Sequence, residues 1–84
     1  MTDFNGQLAQ AIKDLIDDLG LTQTAVARQI EKGDSYVSDR LAGRNLAVTG
    51  DIVVGIAALS HMQPTTIWRE LMSRIETGHG ASDR

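Results

Sequence analysis

Between Leu21 and Arg44 the chain reads LTQTAVARQIEKGDSYVSDRLAGR, and its polar residues are of kinds that recognise rather than react. Ser35 and Ser38 carry hydroxyls that donate or accept, Asp39 accepts, and Arg28, Lys32, Arg40 and Arg44 supply cations. The parts for bond-making are missing. Ser38 and His61 belong to no nucleophile motif, and no glycine-rich phosphate cradle or pair of metal ligands occurs. His61 stands in a polar loop without a second His or Cys nearby, so it reads as an ordinary surface residue. No enzyme, cofactor or metal is expected.

The elements that must position these groups follow from apolar spacing. Val26 and Ile30 lie one helical turn apart with Ala27 beside them, and Val37 and Leu41 repeat that spacing. The first helix starts at Thr22, whose hydroxyl can cap free amides, and runs to about Ile30. The second runs from Asp34 or Ser35 to about Ala42, with Asp34 read as its N-cap and Gly43 as its end. Between them Gly33 is expected to supply the bend. With Val37 and Leu41 inward, a rotation of about 100° per residue puts Ser35, Asp39 and Ala42 opposite the core. Ser38 and Tyr36 fall on either side of that face, with Arg40 near Tyr36. On a DNA duplex, Ser35, Ser38 and Asp39 could reach base edges, while Tyr36, Arg40 and Arg44 are better placed for phosphates. Arg28 and Lys32 lie outward, near the same backbone. Asp34 and Asp39 would lower general affinity while sharpening choice.

This stretch resembles the phage-repressor and Cro-type (lambda-repressor-like) helix-turn-helix family. The shared signs are Thr22-Gln23 opening the first helix, Ala27 on its inner face, Val37-Ser38 ten residues later and Gly43 at the end. A weaker likeness continues through Ala57, Ala58 and Leu59 to Leu71. Glu31 stands where the family usually has a turn glycine, a role then left to Gly33. The resemblance implies an all-α, compact five-helix domain whose second motif helix, about 34–42, enters the major groove. It also implies that Gln23 binds a phosphate and braces that helix, and that the loop at Arg44-Asn45 adds backbone contacts.

The whole chain sets further bounds. Eighty-four residues make one domain, expected over 1–76 with a flexible tail over 77–84. Without cysteine there is neither a disulfide nor a thiolate zinc site. No apolar run approaches the roughly 20 residues that span a bilayer, and the N-terminus lacks a signal-peptide pattern, so a cytoplasmic protein is expected. The net charge of −3 opposes a polyanion, but its distribution does not: residues 1–20 carry −3, 21–49 carry +1 and 50–84 carry −1. Half of the Lys and Arg residues therefore sit in the proposed reading unit.

Around that unit, Phe4, Leu8, Ala11, Ile12, Leu15 and Leu19 predict a helix over about 5–19, with Asn5 as a potential N-cap and Gly20 as its C-terminal cap. Asp14, Asp17 and Asp18 fall on its solvent side; acid there opposes the helix dipole, and keeping DNA away from this side would be one use. Leu46 and Val48 are expected to tuck under the domain, with Thr49 capping a fourth helix and Asp51 in its first turn. Ile52, Val53, Ile56, Ala57, Ala58 and Leu59 make that helix almost wholly apolar, hence central. Gly55 within it predicts a close helix contact. Pro64 suits the first position of a fifth helix carrying Ile67, Trp68, Leu71, Met72 and Ile75. Ile67 and Leu71 should face inward; Trp68 and Met72 either finish the core or form a homodimer patch.

Two functions follow. One is a sequence-specific DNA-binding transcriptional regulator, a repressor that occludes its operator as two copies on double-stranded DNA. The other is a protein-interaction module on the same fold, such as an antitoxin or anti-repressor, which the acidic residues suit.

Overall fold

The computed structural model describes residues 4–42 and 50–78. These form five α-helices and no strand: α1 (Phe4–Asp18), α2 (Gln23–Gln29), α3 (Tyr36–Leu41), α4 (Gly50–Ser60) and α5 (Pro64–Ser73), the last running into a π-helical turn over Arg74–Gly78. The all-α class is therefore as expected. α3 is shorter than predicted, and the 76/77 boundary falls inside the final helical turn. Residues 43–49 and 79–84, including the expected cap Thr49 and most of the tail, lie outside the described residues.

α4 is the central helix. It packs on α2 and on α5, while α1 closes the other side against α3, α5 and the π-turn. Ile52, Val53 and Ile56 of α4 are wholly buried, and they meet Ile12 and Ile16 of α1, Val26 of α2, Val37 of α3 and Leu71 of α5 in one apolar cluster. Periodicity located most of this core. Phe4 is the exception: expected inward, it is 55 % exposed, because it opens α1 where little of the core lies beneath it. Ala9 and Ile16 are buried instead, widening the α1 stripe. Pro64 stands in the first turn of α5, as its missing N–H allows.

Three helices end in the same left-handed cap. Gly20 (φ 74°) closes α1, with Gly20 N–H donating to Asp17 C=O and Leu21 N–H to Ile16 C=O, both at 3.0 Å. Glu31 (φ 60°) closes α2, its N–H donating to Arg28 C=O and that of Lys32 to Ala27 C=O. His61 (φ 58°) closes α4 through Ala58 and Ala57. Each satisfies two carbonyls that the helix leaves open. The reversal after α2 is thus made at Glu31, not at Gly33 as expected. Gly33 has no positive φ; its carbonyl accepts from Tyr36 N–H at 3.0 Å, and a β-carbon there would meet nothing.

The two positions therefore respond oppositely to substitution. Glu31→Gly relieves a left-handed strain of about 1–2 kcal/mol and loses part of it to unfolded-chain entropy, a net gain of about 0.5–1 kcal/mol. Gly33→Ala is neutral or slightly stabilising, by up to about 1 kcal/mol. Urea unfolding of both variants checks this, and a destabilised Glu31→Gly would show that the turn is made elsewhere.

Candidate functional site

α2 and α3 are two short amphipathic helices joined by the turn Ile30–Ser35. Thr22 caps α2 as its type predicts, its Oγ1 accepting from Ala25 N–H at 3.0 Å. Val26 and Ala27 seat α2 on α4, and Val37 and Leu41 seat α3 against α1 and the core. That register leaves Ser35 and Ala42 exposed, with Ser38, Asp39, Tyr36 and Arg40 half-buried around them. Gln23 is half-buried in the first turn of α2. Arg44 and Asn45 fall outside the described residues.

Several expected roles change. Asp34 does not cap α3. Ser35 occupies that position, without a side-chain cap bond, and Ser35 C=O accepts from Ser38 Oγ–H at 3.1 Å and from Asp39 N–H at 2.8 Å. Asp34 instead takes both forks of Arg28, Nε to Oδ1 at 3.0 Å and Nη2 to Oδ2 at 3.1 Å, across the turn. The geometry is bidentate, which matches a planar guanidinium to a carboxylate. Hydrogen bonds from Arg28, then its charge, hold the Asp34 carboxyl below its ordinary range. Asp34 therefore keeps the charge that Arg28 meets to lower pH than a free aspartate would. Both side chains are mostly exposed, so the pair does little for stability. Its effect is on charge: Arg28, expected to face a backbone phosphate, already has a carboxylate.

Tyr36 makes contacts that its position on the helix did not announce. Its hydroxyl donates to Asp51 Oδ2 at 2.7 Å, tying α3 to the first turn of α4. The guanidinium carbon of Arg40 lies 4.3 Å from the ring centroid and Lys32 Nζ lies 5.2 Å from it. Spacing placed Arg40 near Tyr36 and turned Lys32 outward, but it found neither the approach of Lys32 to the ring nor Asp51, fifteen positions away. At that position only a first-turn carboxylate was legible.

Away from this face, the acidic end of α1 has a structural partner. Arg74 Nη1 meets Asp18 Oδ2 and Arg74 Nε meets Glu70 Oε2, each at 2.8 Å, clasping α1 to the end of α5. Asp14 accepts from Gln10 Nε2. Trp68 and Met72 are half-buried and pack against the core. Among the described residues the large apolar side chains that stand exposed are Phe4, which periodicity had turned inward, and Val54 and Met62, which it did not single out. Among the described residues there is no group of His, Cys, Asp and Glu that could hold a metal, and no helix is long and apolar enough to cross a membrane. Compared with the profiles of known families, with curated proteins and with solved structures, the chain matches none.

Proposed function

We propose that the domain is a sequence-specific DNA-binding regulator, with α2 and α3 forming a helix-turn-helix whose second helix enters the major groove. Two copies on a two-fold site would occlude a promoter, their half-sites about 34–36 Å apart or a multiple of that. The observation that carries the reading is the complete burial of Val37 beneath α3, which leaves Ser35, Ser38 and Asp39 on the accessible side with Lys32 and Arg40 flanking them. Serine hydroxyls and a carboxylate suit base edges, and the flanking cations suit phosphates. A two-fold contact through Trp68 and Met72 of α5 belongs to the same proposal and is read by light scattering.

Enrichment of one operator from random duplexes at low salt is the direct test. Failure to enrich any sequence would sink the reading. The Arg28–Asp34 pair adds a sharper expectation. In Asp34→Asn the guanidinium is released toward a phosphate, so affinity for random duplex at about 0.1 M salt rises roughly tenfold. The slope of log K against log salt steepens by about 0.9. No change in either would remove Arg28 from the interface.

The protein-interaction reading draws on a different observation, the exposure of Val54 and Met62 on α4 and the turn that follows it. Co-purification of a stoichiometric partner from the native host, with no duplex shift, favours it.

A further inference from the structure

The geometry points to a two-cation anion site built on the Tyr36 ring, at which Lys32 and Arg40 together take one phosphodiester of a nucleic-acid backbone. In this site Tyr36 is a positioning residue: it holds the two cations and does not itself meet the anion. The choice of a phosphodiester rests on the DNA-binding reading above; the existence of an anion site does not.

Arg28 and Arg74 each have carboxylate partners, whereas Lys32 and Arg40 form no ion pair among the described residues. What they share is the ring, at 5.2 and 4.3 Å from its centroid. An aromatic face attracts a cation, and two cations brought to one ring still repel each other. The Nε of the half-buried Arg40 is itself buried and, among the described residues, has no hydrogen-bond partner. That buried donor is out of an outside ligand's reach, so an anion would be met by the remaining guanidinium nitrogens. An anion with several oxygens relieves that repulsion by accepting from both cations. The platform is rigid, because the Tyr36 hydroxyl is held by Asp51 on the central helix. Asp51 takes away one charge, so the group of Lys32, Arg40 and Asp51 carries +1. Tyr36 and Arg40 lie one turn apart on the flank of the α3 face that bears Ser35 and Asp39, and Lys32 reaches the same ring from the turn before α3. A phosphate bound there would therefore lie beside the bases that face reads.

The test combines two measurements. In the first, a short random-sequence duplex is titrated at several salt concentrations against Lys32→Ala, Arg40→Ala, Tyr36→Leu and their combinations. Each cation variant is expected to weaken binding roughly tenfold at about 0.1 M salt and to lower the salt slope by about 0.9. Tyr36→Leu weakens it several-fold in the parent and has no further effect when both cations are already alanine, since it acts through them. An undiminished effect in that background means a general structural role and overturns the proposal. Tyr36→Phe keeps the ring but loses the hydroxyl bond to Asp51, so it weakens binding less than Tyr36→Leu. If Tyr36→Leu does not fold, Tyr36→Phe takes its place in both backgrounds, and an undiminished effect without the cations again overturns the proposal. In the second measurement, the ring resonances of the sole tyrosine are followed by NMR during titration with inorganic pyrophosphate and, separately, with the duplex. Shifts with both support the site as stated. Shifts with pyrophosphate but no duplex binding keep the anion site and reject the DNA reading. Duplex binding with no shift, and with Lys32→Ala and Arg40→Ala silent, keeps the DNA reading and rejects the site. No response to either rejects both.

Discussion

Val37→Asp unfolds the domain, whereas Ser35→Asp two residues away leaves it folded. Val37 is wholly buried beneath α3, which packs on α1 and α2, and among the described residues no charged group is buried to meet a carboxylate. An uncompensated buried charge costs about 3–5 kcal/mol, and the lost valine burial adds about 1.5–3 kcal/mol. A domain of this length has about 4–12 kcal/mol to lose. Ser35 is exposed at the N-cap of α3, where aspartate is favoured, so its variant should fall within about 1 kcal/mol of the parent. Far-UV circular dichroism followed through a urea titration reads both. Equal stability of the two variants would mean that α3 is rotated about its axis. The surface offered by Ser35, Ser38 and Asp39 would then not exist.

Gly55→Val lowers stability by about 3 kcal/mol or more. Any β-carbon at this position would stand 2.9 Å from Ile30 Cγ2, 3.2 Å from Val26 Cγ1 and 3.3 Å from Val26 C=O. The last of these is backbone and cannot swing aside, so α2 must move off α4. In Gly55→Ala the same crowding is partly offset by a helix-propensity gain of about 1 kcal/mol, leaving a net loss of about 1 kcal/mol. Thermal unfolding of the pair measures the difference. A stabilised Gly55→Ala would show that the half-buried Ile30 simply turns outward and that the approach of α2 to α4 is not tight. Because α2 also packs on α3, the same variants should weaken duplex binding if the proposed function is right.

Much of the architecture was legible beforehand, and for definite reasons. Val26, Ala27, Val37, Leu41, Ile52, Ile56, Ile67 and Leu71 recur at helical spacing, and an apolar stripe on a short helix can be satisfied only by burial. Thr22 and Pro64 marked helix starts through their own hydrogen-bonding chemistry, and Gly55 signalled a close contact by its cost in an apolar helix. The turn after α2 was misassigned because a glycine was sought for the left-handed position. Backbone hydrogen bonds and the packing on both sides hold Glu31 there despite its β-carbon.

The candidate site divides along the same line. Sequence alone determined which polar residues share the outer side of α3, since rotation per residue follows from the helix itself. Tertiary structure decided which charges remain available there. Arg28 is taken by Asp34 across a turn, Tyr36 is held by Asp51 from another helix, and Lys32 and Arg40 are left on a common ring. Periodicity is a property of one segment, but pairing depends on the distance between side chains of different segments, and only packing sets that distance.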